Sequence, residues 1–244
     1  MPKYYDLNVK INNNSNLSDI KNFLLFFKDL GYNGLGIDIS LNEIGIFKDL
    51  KKEIEDDFFK LYSRINIKAK SIPGLKKALK NIRLKYDLIG IECWDINVCH
   101  WAVQDSRPDI IIFNNYGLEN YNYSTAKLIR HNKKAIEISL KNIIFSYFDK
   151  RSKLLRQLIK RMRYILKSKA LFLLTTQTEM NSIYNARAPR DLIALMYLID
   201  IPTNTAIKSI SKNSEQIIKN ALDKRDPNII SENIRIIQNE EESR

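Results

Sequence analysis

Side chains suited to bond-making chemistry are scarce in this chain. Its two histidines, His100 in the apolar stretch "VCHWAV" and His131 in "LIRHNKK", stand far apart. A catalytic metal centre normally gathers several imidazoles and carboxylates, so neither is assigned as a metal ligand. Cys93 and Cys99 are spaced C-x5-C, which matches no zinc pattern. Both read as buried apolar side chains. Four carboxylates, Asp6, Asp38, Glu92 and Glu137, fall in or near apolar runs. A magnesium site built of carboxylates alone is one use for them. Pairing with Arg or Lys is the reading adopted, because a buried carboxylate requires a partner. The chain has seven glycines and no GxGxxG, P-loop or GxSxG, which leaves little to cradle a phosphate or present a nucleophile.

Cations are abundant, and they are unevenly placed. The formal net charge is +12, yet residues 61–170 alone carry +15, while the segments on either side are slightly acidic. Such a basic zone is the footprint of a polyanion, nucleic acid or anionic membrane. No lipidation signal or aromatic-rich amphipathic anchor supports the membrane, so nucleic acid leads. Within the zone, "DKRSKLLRQLIKRMRYILKSKA" (149–170) places Leu154, Leu155, Leu158, Ile159, Met162, Ile165 and Leu166 at helical spacing. Lys150, Arg151, Lys153, Arg156, Lys160, Arg161, Arg163 and Lys167 occupy the other positions, with one acid, Asp149, at the start. A solvated helix face usually mixes signs to gain i,i+4 pairs; a face of cations alone favours phosphate contact, with Arg156, Lys160 and Arg163 as its centre.

A second cationic feature is "NARAPRDLIALMYLI" (185–199). Pro189 suits a first helical position, the cap would be Ala188, and Arg187 and Arg190 flank it. Two cations at an uncapped helix start predict an anion there: an RNA phosphate, or internally Asp191 or Glu179.

Positioning these residues requires an alternating scaffold. "YYDLNV" (4–9), "GLGIDI" (34–39), "YSRINIKA" (62–69), "LIGIECW" (88–94), "DIIIF" (109–113), "AIEISL" (135–140) and "LFLLTT" (171–176) read as strands. Helical segments lie between them, most clearly 17–30, 73–85, 97–104, 124–132 and 150–167. Short Ile/Leu runs joined by helical crossovers are parallel strands buried on both faces. The class is α/β, and seven regular strands favour a TIM-like (β/α) barrel with an irregular or missing eighth strand over an open doubly wound sheet. The expected organisation is one domain over residues 1–238 with a polar tail at 239–244. No run of 18 apolar residues and no signal-like N-terminus is present, so the expectation is a soluble, cytoplasmic protein.

In this order and spacing, "YYDLNV", "GYNGLGI", "YSRINI", "DLIGIE", "SRPDIIIF", "KAIEIS" and "NARAPRDLIALMYLI…AIKSIS" resemble the archaeal ribonuclease P component 3 family, relatives of the 30 kDa subunit of eukaryotic nuclear ribonuclease P. The resemblance spans about Tyr4 to Ile218. It departs after the seventh strand, where a Ser-Ser-Gly-Ala turn is replaced by "TTQTEMNS". The resemblance implies a TIM-like barrel related to metal-dependent phosphoesterases. It also implies a subcomplex with ribonuclease P component 2 alongside other ribonuclease P proteins, contact with ribonuclease P RNA, and precursor tRNA as the substrate of the whole particle. RNA and magnesium do the chemistry there, so no catalytic residue and no cofactor is expected in this chain. Phosphoesterases of that fold begin with a His-x-His pair on the first strand; here the residues are Asp6, Leu7 and Asn8.

The remaining candidates for RNA contact follow from strand position. Arg64, Asn66 and Lys68 share one face of their strand. Arg64, if inward, would pair with Asp38 or Glu92; otherwise it would reach RNA. Lys68 and Lys70 lie at the C-terminal rim, where barrels build their sites. Arg107 precedes the fifth strand, at the opposite rim, with Asp105 or Asp109 as its internal alternative. Two other functions stay open: a metal-dependent phosphoesterase, and a scaffold whose basic zone binds an acidic protein.

Overall fold

The computed structural model describes residues 2–11, 15–113, 122–180, 184, 186–231 and 234–235. The polar tail expected at 239–244 lies outside them. Seven strands, β1 (Tyr5–Lys10), β2 (Gly34–Asp38), β3 (Lys60–Lys68), β4 (Leu88–Cys93), β5 (Ile110–Phe113), β6 (Ala135–Ser139) and β7 (Leu171–Thr175), pair in sequence order. Every pair is parallel. The helices between them are α1 (Leu17–Asp29), α2 (Ile44–Ile54), α3 (Ile72–Ala78), α4 (Ile96–Gln104), α5 (Tyr123–His131), α6 (Lys141–Ile144) and α7 (Phe148–Ser168). This is a TIM-like α/β barrel of seven strands. The helix expected over 73–85 stops at Ala78; Leu79 caps it and Asn81 adopts φ 61°, a left-handed turn that a helix cannot continue through.

Alternation along each strand sorts the core into two shells. Outward residues such as Ile89, Ile91, Ile111, Ile136, Phe172 and Leu174 pack under the helices, while Tyr5, Leu7, Leu88, Ile110, Ile112, Ala135 and Leu173 fill the lower barrel. In β1 the register slips between Asp6 and Val9, so Leu7 and Asn8 together oppose Gly36. That bulge turns Asn8 inward above Leu7. It also requires glycine opposite, since a Cβ on Gly36 would stand 2.4 Å from Leu7 O.

No eighth strand fills the seam between β7 and β1 among the described residues. Instead Lys10 N donates to Thr178 O (2.9 Å), and the Asp6 carboxylate accepts from Thr176 N (3.0 Å) and its hydroxyl (2.5 Å). After β7 come α8 (Pro189–Tyr197), α9 (Thr203–Ser209) and α10 (Lys212–Asp223). Tyr5 N donates to Ile210 O (2.8 Å), and Ile217, Ile218 and Ala221 of α10 close the floor of the barrel against Tyr5, Leu88, Ile110 and Ala135. A short antiparallel pair, β8 (Ile229–Ser231) and β9 (Ile234–Arg235), follows.

Candidate nucleic-acid interface

Arg64 points into the barrel, the inward of the two alternatives, and its side chain is fully buried. Its partner is neither Asp38 nor Glu92 but Glu137, three strands away on β6. The guanidinium donates to Glu137, to Leu7 O (2.6 Å) and to Asn66 Oδ1 (2.8 Å). Glu137 also accepts from Asn8 Nδ2 (2.5 Å) and Thr175 Oγ1 (2.9 Å). The expectation of RNA contact at Arg64 is therefore corrected: its donors are consumed inside the fold. Gly90 makes the room, because a Cβ there would stand 2.5 Å from Asn66 Oδ1 and 3.0 Å from Arg64 Nη2.

Above this network the C-terminal mouth opens as a polar pocket of ≈ 320 Å³, with Lys10, Lys68 and Lys141 interleaved among Asp38, Glu92 and Glu179, and Asn8, Asn66 and Gln177 between. Lys68 lies 3.5 Å from Glu92, and Lys141 lies 2.5 Å from Glu179. The hydrogen bond from Lys141 holds the Glu179 carboxyl below the usual carboxylate range. Burial pushes the Asp38 carboxyl up, against the opposing pull of Arg64 and of Asn66, whose N–H it accepts at 3.1 Å. These donors do not fit a divalent metal. No cluster of three or more His, Cys, Asp or Glu able to hold one forms among the described residues, and each carboxylate at the mouth has a lysine ammonium beside it or an amide bound to it. Lys10 and Gln177 were not singled out from sequence, and Glu179 was considered only as a counter-charge for Arg187 and Arg190; strand alternation carried past the β1 bulge would have placed Lys10 here.

The opposite rim holds a second charged cluster. Arg107 binds Asp105 through Nε (2.8 Å) and Nη2 (2.7 Å), the first of its two internal alternatives. Asp109 is taken by Arg83 Nη1 (2.5 Å) and Lys224 Nζ (2.8 Å). Lys134 is buried and donates to Asp105 O and Pro108 O, both at 2.6 Å. Burial, reinforced by the Lys224 charge, pushes its ammonium down to about 7. The Lys224 contact fastens the end of α10 beneath the barrel.

The helix α7 matches its sequence reading closely. Leu158, Met162 and Ile165 are buried, and Lys150, Arg151, Lys153, Arg156, Lys160, Arg163 and Lys167 are exposed. Arg156, Lys160 and Arg163 border one shallow, open hollow along a single face of α7, with Ile159 and Tyr164. Lys167 instead leans over the Tyr123 ring, 5.2 Å from its centroid. Arg161 is half-buried and has a partner of its own.

At α8 the first helical residue is Pro189 and Ala188 gives no side-chain cap. Asp191 reaches back to accept from Ala188 N (3.2 Å) and sits 3.8 Å from Arg190 Nε, so part of the expected anion is internal. Among the described residues no carboxylate neutralises Arg187: its Nη1 donates to Tyr184 O (2.7 Å) and Ala186 O (2.8 Å), while Glu179 is committed to Lys141. The Arg190 side chain is 91% exposed. Lys70, just past β3, is also exposed. The candidate cations therefore form separate groups: the α7 hollow, the C-terminal rim, and Arg107 at the far rim.

A seven-stranded TIM-like barrel with a mouth of lysine–carboxylate pairs and a basic outer helix defines a class: a TIM-like barrel that presents charge at its mouth and on one outer helix. The model of the family described as RNase P subunit p30 matches residues 3–226, and this chain belongs to that family. Ribonuclease P protein component 3 of Methanococcoides burtonii is 26% identical over 213 residues, covering 86% of this chain and 85% of the relative. The component 3 of Methanothermobacter thermautotrophicus is 24% identical over 225 residues, covering 88% of each. Among solved structures, a chain in the cryo-EM structure of archaeal ribonuclease P with mature tRNA aligns with TM-score 0.76 and 23% identity, over 96% of this chain and all of that one. Aspergillus niger ochratoxinase shares the barrel at TM-score 0.62 and 11% identity, over 89% of this chain and 71% of the enzyme.

Proposed function

We propose that this chain is a structural, RNA-binding subunit of ribonuclease P, supporting the RNA that removes the 5′ leader from precursor tRNA. It works with component 2 and the other ribonuclease P proteins, in the cytoplasm, and supplies no catalytic residue or cofactor. The observation that carries the RNA-binding part is α7: Arg156, Lys160 and Arg163 share one hollow and have no ion pair among the described residues. Unpaired cations on a rigid helix suit phosphates, which position a protein on a folded RNA without reading sequence. Lys68 and Lys70 on one side of the C-terminal rim, with Arg187 and Arg190 on the other, are the proposed secondary contacts. Arg107 is a weaker one, since Asp105 already occupies its fork.

The test is salt dependence. Changing Arg156, Lys160 and Arg163 together to Gln should leave the fold intact and lower the slope of log affinity against log salt by about 2–3, at roughly 0.7–0.9 per phosphate contact. An unchanged slope removes α7 from the interface. Tight binding to an acidic polypeptide with none to folded RNA would favour the protein scaffold instead.

A further inference from the structure

From the end of α6 to the first residue of α7, three aromatic side chains in four positions face solvent: Phe145 (43% exposed), Tyr147 (70%) and Phe148 (91%). Rings of this size normally bury themselves. Phe148 also adopts φ 44°, a left-handed conformation costly for a bulky residue, and burial does not compensate, because its ring stands almost wholly in water. Strain of this kind, held by the surrounding structure, marks functional positions.

The support beneath the rings is firm. Ser146 is buried, and its hydroxyl donates to Asn142 O (2.5 Å). Arg151 donates from Nε to Ile143 O (3.2 Å) and from Nη2 to Ile144 O (3.3 Å), clamping α7 to the end of α6. The same guanidinium lies 5.6 Å from the centroid of the Tyr147 ring. Lys150 and Lys153 follow, exposed, and Arg156 begins the α7 hollow eight residues after Phe148, about 12 Å along the helix at 1.5 Å per residue.

We propose that Tyr147 and Phe148 form a stacking platform for unpaired bases of a single-stranded RNA segment, whose backbone continues onto the cations of α7. Aromatic faces accept any base, and adjacent cations hold the phosphates between stacked bases. An apolar protein partner fits less well, because covering the rings would also take Lys150 and Arg151 out of water without a counter-charge. This inference rests on the reading of α7 as a phosphate track, and the two fail separately.

The experiment titrates the full-length protein with a 12-nucleotide single-stranded RNA carrying 2-aminopurine, and with a 12-base-pair RNA duplex. The double change Tyr147→Leu and Phe148→Leu should weaken single-strand binding by at least about 30-fold, from two stacks at about 5-fold or more each. It should leave the salt slope and the duplex affinity unchanged and abolish the change in 2-aminopurine fluorescence. Phe148→Gly is the control for folding: glycine accepts the left-handed backbone, so this variant should melt at a higher temperature while still losing single-strand affinity. Unchanged single-strand affinity in the double variant overturns the platform, whatever the α7 variant does. Loss of component 2 binding at unchanged RNA affinity overturns it in favour of a protein contact. A lower salt slope in the α7 triple variant alone sustains the phosphate track without the platform.

Discussion

Removing the Arg64 guanidinium should be among the most damaging single changes available. Arg64→Met keeps most of the side-chain volume but leaves Glu137 as a fully buried carboxylate with, among the described residues, only Asn8 and Thr175 as donors. It also strips a donor from Leu7 O and from Asn66. Breaking a buried pair by deleting one partner costs about 3–5 kcal/mol. For a chain of this length, at about 2–4 °C per kcal/mol, the melting temperature should fall by roughly 6–20 °C. Urea denaturation gives the free energy directly, and the double variant Arg64→Met with Glu137→Leu should recover much of the loss, because no charge is left stranded. RNA affinity, measured well below the variant's melting temperature, should match the original. A loss under about 1 kcal/mol would refute the buried-pair account, and weakened RNA binding at intact stability would return Arg64 to the interface.

Burial pushes the Asp6 carboxyl up to about 6, above its unfolded value near 4, so the folded chain holds a proton that the unfolded chain lacks between those values. That contribution is full below about pH 4 and is lost as pH rises through 6. The original protein should gain about 1 kcal/mol between pH 7 and pH 5 relative to Asp6→Asn; parallel stability curves for the two would refute this. Gly90→Ala should cost about 1–3 kcal/mol by driving a methyl into the Asn66 amide and Arg64, and a neutral effect in calorimetry would mean the barrel interior relaxes freely. Among the described residues the Arg187 side chain meets only backbone carbonyls, so Arg187→Ala should change stability by about 1 kcal/mol. It should also slow reconstituted precursor tRNA cleavage at low magnesium, and full activity there would exclude the α8 start as an RNA contact.

The seven strands were legible because parallel strands buried on both faces appear as short Ile/Leu runs, and α7 was legible because its apolar residues keep helical spacing through 21 residues. The alternation of β3 put Arg64 on one face with Asn66 and Lys68 but left open whether that face turned inward, as it does in the barrel. The partner of Arg64 was not legible, since Glu137 lies 73 residues away and only barrel closure brings it across. The β1 bulge escaped notice because it changes no residue type, yet it decides that Asn8 joins the Arg64 network and that Lys10 reaches the mouth. The role of α10 as the barrel floor was equally hidden: its amphipathic pattern says that one face is buried, not what it covers. At α8 the missing cap was visible in Ala188, whereas the return of Asp191 to that position depends on the backbone turn.

The most direct test is to purify the chain from its host under mild salt and sequence the RNA that comes with it. The account predicts strong enrichment of ribonuclease P RNA, together with component 2 and 5′-leader cleavage activity, and loss of some of that RNA when Arg156, Lys160 and Arg163 are changed to Gln. Recovery of the chain free of that RNA, or bound to an acidic protein in its place, would contradict it.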